Sequence, residues 1–199
     1  MIIMKKCIIT NAFVIALAQL CFYSAAAQTY FAGTNAGNGN TAATAVGIGP
    51  NALSVANSGP LNLAVGIGAL NVNTTGNSNV SAGNFSMNLN KTGKANTALG
   101  TYTLNRNVSG DSNTVNGYMS MYFNTTGHRN TSTGVYSLYK NTSGHSNVAY
   151  GYLALKNNTT GYSNVAIGAA ALRDNSGGVN NDAIGDSALM QNTTGKDNV

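Results

Sequence analysis

Apolar and polar positions follow one another along this chain with a period of 17 residues, from the first third of the sequence to its end. The fixed point of each unit is a glycine: Gly49, Gly66, Gly83, Gly100, Gly117, Gly134, Gly151, Gly168 and Gly185. Four residues after each comes a long aliphatic side chain: Leu53, Leu70, Met87, Leu104, Met121, Leu138, Leu155, Leu172 and Leu189. Ten residues after each comes a second glycine, from Gly59 to Gly195. Self-similarity at a fixed short period is the signature of a solenoid or repeat array.

The residues between these points predict the local structure. An Asn lies four residues before the first glycine (Asn62, Asn79, Asn96 and onward to Asn181) and another lies seven after it (Asn73, Asn90, Asn107 and onward to Asn192). The second Asn opens a turn of the Asn-Thr-Thr-Gly type, as at Asn73–Gly76 and Asn124–Gly127. Asn and Gly tolerate positive φ, and the hydroxyls bond the local backbone, which suits a tight turn. A helix is disfavoured because a glycine in the middle of every unit costs about 1 kcal/mol relative to alanine, and helical repeats run to about 34 residues or more.

The expected fold is therefore all-β: a β-solenoid or β-roll of about nine coils, with two short strands and two turns in each. Coils stacked at about 4.8 Å give a rod roughly 43 Å long. In such a stack the Asn columns form amide ladders and the Leu/Met column lines the interior. The position two before the glycine is small almost throughout, from Gly47 and Ala64 to Ala183, with Val115 the largest. Further aliphatic columns run through Val46, Leu63, Val80, Val148 and Val165, and through Ile48, Val65, Leu99, Ile167 and Ile184. Strand neighbours face opposite sides, so apolar residues on both sides suggest that one side meets another chain.

Composition changes the picture at the N-terminus. Residues 1–27 carry Lys5 and Lys6, a mostly apolar run and a small-residue stretch before Gln28. This reads as a secretory signal cleaved after Ala27, with a retained anchor as the alternative reading. Residues 28–44 do not match the repeat columns and read as a flexible or capping lead-in; residues 45–199 are the roll. The first unit deviates, with Ala45 and Ala56 where later units carry Asn, and with both prolines, Pro50 and Pro60. Terminal repeats are expected to deviate. The sequence stops inside what would be a tenth unit, which we read as a truncated chain.

Both cysteines, Cys7 and Cys21, lie in the signal segment, so the expected mature chain has no disulfide. The whole chain has a formal charge of +5; past residue 27, eight basic residues against five acidic ones leave +3, thinly spread. That gives no basis for nucleic-acid binding, and the mature segment holds no expected membrane span.

Asn164-Val-Ala-Ile-Gly168, Asn62-Leu-Ala-Val-Gly66 and Asn96-Thr-Ala-Leu-Gly100 resemble the head repeats of trimeric autotransporter adhesins, the YadA-like left-handed β-roll. The longer unit with Ala-Leu and Asn-Thr-Thr-Gly is similar to repeats of bacterial surface and tail-fibre-like proteins. The resemblance covers residues 45–199. It implies a homotrimer, exported to the cell surface or secreted, whose head binds a host or surface protein or glycan. The unit here is longer than that family's, and no coiled-coil stalk or membrane-anchoring barrel follows.

Motifs for chemistry are few. No nucleophile elbow, P-loop, HExxH or paired-carboxylate pattern occurs, so neither an enzyme nor a cofactor is expected. His128 and His145 occupy one column and are the candidate metal ligands, although their column otherwise reads as a solvated turn. Asp174, Asp182 and Asp186 cluster in sequence without the spacing of a calcium site and read as an exposed loop. Tyr118, Tyr122, Tyr136, Tyr139 and Tyr152 form a candidate binding surface for glycan or protein; the competing reading is that they fill the outer face as stacked neighbours. Asn-x-Ser/Thr sequons are numerous but follow from the turn chemistry. The expected function is polyvalent attachment by an adhesin-like head or fibre segment. The alternatives are a structural spacer or phage-type fibre segment without its own ligand, and an ice-binding solenoid. Lys91 and Val108 interrupt the Thr column that ice binding would use.

Overall fold

A computed structural model describes residues 29–42, 44–55 and 57–199; the expected signal segment lies outside them. The described chain is a parallel β-solenoid. Its strands are β1 (Tyr30–Ala32), β2 (Ala45–Ile48), β3 (Asn62–Val65), β4 (Val80–Ala82), β5 (Thr97–Leu99), β6 (Thr114–Asn116), β7 (Thr131–Thr133), β8 (Val148–Tyr150), β9 (Val165–Ile167) and β10 (Asp182–Ile184). They form one sheet in sequence order, each pairing in parallel with the next. From β2 to β10 the register advances by one repeat per strand, for example Ala149↔Ala166 and Ala166↔Ala183.

Each coil holds one strand, not the two expected. The rest of the coil must turn the chain through a full circuit, and it does so with left-handed backbone. The first glycines have φ between 120° and 143°. The Leu/Met column has φ between 47° and 50°, and two further columns, exemplified by Tyr136 (φ 56°) and Ser146 (φ 57°), are also left-handed. A left-handed non-glycine residue costs roughly 1–2 kcal/mol. At the Leu/Met column this is offset by burial: the eight members from Leu53 to Leu172 are wholly buried, worth roughly 1.5–3 kcal/mol per side chain.

The turning half is cross-linked like a sheet although it is not extended. Phe85 N–H and Gly83 N–H donate to the preceding coil, at Ile67 O (2.7 Å) and Val65 O (2.8 Å). Met87 and Leu89 N–H donate to the following coil, at Thr103 O and Asn105 O, both 2.9 Å. This alternation satisfies backbone groups that a curved, partly buried segment would otherwise strand.

The core is one side chain wide. The small column points inward from the strands (Ala64, Ser81, Ala98, Val115, Ser132, Ala149 and Ala166 are wholly buried) and meets the Leu/Met column and the small residues three after the first glycine. The strand residues on either side of the small column, such as Leu63 and Val65, share the opposite, outward face.

The described part of the 28–44 lead-in contributes a strand and a turn to the same stack. Its offset from the next coil is 16 residues (Phe31↔Gly47), which takes it out of the 17-residue period. Gly33 takes the first-glycine position, with φ 120°. Phe31 then falls in the small column and Gly37 in the Leu/Met column. The two exchange volumes: a Cβ on Gly37 would collide with the Phe31 ring, and Phe31 packs against the core.

Candidate functional site

The repeat columns meet at two polar ladders inside the rod. Asn73, Asn90, Asn107, Asn124, Asn141 and Asn158 each donate Nδ2–H to the Oδ1 of the Asn one coil earlier, at 2.7–2.8 Å. Asn79 through Asn181 do the same in the second column at 3.0–3.1 Å. The ladders are tied together at the second glycine: Gly127 O accepts from Asn113 Nδ2 at 2.9 Å and from Asn124 Nδ2 at 3.0 Å. All these asparagines are buried. The first rung of one ladder is Asn57, not the expected position of Ala56, because the coil is shifted by one residue there. Among the described residues, its Nδ2 is buried without a partner.

The ladders decide the fate of the sequons. Asn73, Asn90, Asn107, Asn124, Asn141 and Asn158 head Asn-x-Ser/Thr sequences, yet each side chain is 0% exposed with its amide bonded. N-glycosylation of these residues is incompatible with the folded rod.

The tyrosine surface divides. Tyr118, Tyr122, Tyr136 and Tyr139 converge, with Tyr102, Phe85 and Phe123, into one aromatic cluster. Tyr122 stacks on Tyr139 (5.8 Å between centroids), and Tyr136 meets Tyr139 edge-on at 5.3 Å and Tyr118 at 5.8 Å. The Arg106 guanidinium lies 5.0 Å from the Phe123 centroid and 5.5 Å from that of Tyr122. Burial, followed by the neighbouring phenols of Tyr122 and Tyr136, raises the Tyr139 pKa above its ordinary value. Tyr152 is exposed and joins no aromatic pair among the described residues. Tyr122 and Tyr139 occupy a column that earlier coils fill with Asn71, Asn88 and Asn105, whose amides bond a carbonyl of the preceding coil. Ring stacking replaces that bond in the middle coils.

His128 and His145 stack face to face, 4.9 Å apart and 8° from parallel, and Tyr162 continues the stack at 4.8 Å. The lone pairs of parallel imidazoles lie side by side in their ring planes and do not converge between the rings. Among the described residues no group of three or more His, Cys, Asp or Glu side chains is placed to hold a metal ion. Burial first, then His128 and Arg129, lowers the His145 pKa from 6.5. The three acids are separately engaged or exposed. Asp174 pairs with Arg173 at 2.7 Å, which holds its carboxyl below the usual range; Asp186 accepts from Ser187 Oγ at 3.1 Å; Asp182 sits on the outward face of β10.

Two hydroxyl columns lie next to each other beside the second glycine and behave differently. Thr74, Thr125, Thr142 and Thr159 turn their hydroxyls to a carbonyl of the next coil at 2.8–2.9 Å. The next residues, Thr75, Thr126, Ser143 and Thr160, are exposed.

The outward sheet face is aliphatic towards both ends. Ile48, Leu63 and Leu99 are exposed there near the start of the rod, and Val148, Tyr150 (60%), Ile167 (38%) and Ile184 near its end; Thr114, Asn116 and Thr131 lie between.

No protein-family model, curated protein or solved structure matches this chain. Among the described residues no helix is long and apolar enough to cross a membrane.

Proposed function

We propose that this chain is a secreted or cell-surface, non-enzymatic attachment protein, an adhesin-like head or fibre segment that works as a homotrimer. The observation that carries the reading is the outward sheet face. Large apolar side chains are exposed there in two groups, Ile48, Leu63 and Leu99, then Val148, Tyr150, Ile167 and Ile184, with Thr114, Asn116 and Thr131 between them and no part of the described chain covering them. Exposed apolar patches of this kind mark an interaction site. A core one side chain wide is thin for a stand-alone domain, and packing the sheet faces of three copies adds the missing apolar burial. Identical columns then meet identical columns, as a symmetric assembly requires.

Attachment follows from the repetition. Each copy offers the same side chains coil after coil, so weak single contacts add through avidity. The spacer reading has its own support in the Asn ladders, which link coil to coil along the rod and need no ligand.

Beads coated with the purified chain would be tested under flow for retention on protein-coated and glycan-coated surfaces. Retention is expected, and an Ile167→Asp variant with a split assembly is expected to lose most of it. A wild-type rod that holds to neither surface rejects attachment and leaves the spacer.

A further inference from the structure

We propose that a cleft beside the second-glycine column, continued along the rod by a column of exposed hydroxyls, binds an extended β-linked polysaccharide, with about one sugar facing each coil. The inference rests on the reading of the chain as an attachment protein and names the ligand class. The cleft has two walls. Between them the chain passes through the second-glycine column, for example Gly110 and Gly127, which is buried against the Asn ladder. One wall is the exposed hydroxyl column containing Ser109 and Thr126. The other is the column of Asp111 and His128, with Ser112 and Arg129 beside it. These six residues line a cleft of about 330 Å³, large enough for a small-molecule segment.

Three features favour a sugar chain. First, the hydroxyls of Ser109 and Thr126 make no hydrogen bond within the chain among the described residues, whereas the neighbouring Thr125 hydroxyl is committed to Thr142 O at 2.9 Å. The uncommitted groups both donate and accept, as sugar hydroxyls do. Second, the facing wall is amphoteric at short range, with a carboxylate, a guanidinium and imidazoles, so it too can donate and accept. The stack of His128, His145 and Tyr162 keeps that wall in register from coil to coil. Third, the hydroxyls repeat from Thr75 to Thr160 at the coil spacing of about 4.8 Å, close to the rise of a β-linked hexose, so a chain lying along the rod meets one hydroxyl per sugar over that stretch, while the charged wall faces it at Asp111, His128 and His145.

The test is calorimetric titration of the purified full chain with β-linked gluco-oligosaccharides of increasing length. Affinity is expected to rise with length, and S109A/T126V is expected to weaken the longest probe by about tenfold, the loss of two hydrogen bonds. Both positions are exposed, so the fold should survive; H128A gives an independent reading from the opposite wall. Absence of binding, binding without length dependence, or wild-type affinity in both variants would overturn the proposal. Arrest of ice growth without oligosaccharide binding would also overturn it, assigning the hydroxyls to ice. In the flow assay, a chain that still attaches while failing these titrations loses only the cleft; one that attaches to nothing loses the attachment reading as well.

Discussion

Asn124 donates its Nδ2–H to Oδ1 of Asn107 across 2.7 Å, one coil away, in a site from which water is excluded. The bond is one rung in a chain of amides, and each rung both donates and accepts. Removing a rung therefore strands two neighbours. Asn124→Ala leaves Asn107 without its donor and Asn141 without its acceptor, at a cost of roughly 2–4 kcal/mol. Asn192→Ala, at the half-buried final rung, should cost less than about 1 kcal/mol. Equilibrium denaturation at fixed protein concentration would compare them, and equal losses would remove the ladder from the account of stability.

The first glycines answer two demands, and one position separates them. Gly134 has φ 133°, and a Cβ there would sit on the Gly151 carbonyl. Gly185 has φ 131°, but a Cβ there would meet only the Ala188 Cβ at 4.0 Å. Gly185→Ala should carry the backbone strain alone, about 1–3 kcal/mol. Gly134→Ala should add the collision and unfold the surrounding coils, seen as lost amide protection in hydrogen exchange.

Leu138 is wholly buried with φ 49°. Leu138→Ala should cost roughly 2–5 kcal/mol through the cavity it leaves. Leu138→Gly removes one more carbon but releases the left-handed strain. In ordinary secondary structure glycine is the worse of the two by about 0.5–1 kcal/mol; here the order should reverse. Thermal melts of the two variants would decide it.

The His145 pKa is lowered from 6.5 in the folded chain. Between the two values the unfolded chain binds more protons, so stability rises with pH in that window. It is undiminished above 6.5 and falls as pH drops through 6.5 towards the lowered folded value. Melts across this range should show a downward drift on acidification that His145→Asn flattens. An unchanged slope in the variant would remove His145 as its source.

Much of this architecture was legible because stacking turns sequence period into spatial contact. Glycine is required where backbone passes backbone, and Asn where a buried amide must both donate and accept, so those residue types recur and the ladders can be read. The left-handed Leu/Met column was not legible. Leucine ordinarily avoids that conformation, and only the need to close a short coil imposes it. The first coil escaped for another reason: Phe31 and Gly37 exchange large and small between two columns, which conserves core volume while breaking both patterns. The bonded column of Thr125 and the uncommitted one of Thr126 share residue types, so only side-chain geometry tells them apart. The tyrosines were visible as a concentration, but the exclusion of Tyr152 depends on which column each ring occupies.

The outward face of the sheet is the surface on which three copies would meet. Sedimentation equilibrium of the purified chain over a concentration series measures the assembly directly. Three chains per particle are expected, falling apart when Ile167 is replaced by Asp. A folded single chain at every concentration would contradict it, leaving Ile48, Leu63, Tyr150 and Ile184 exposed on a rod that stands alone.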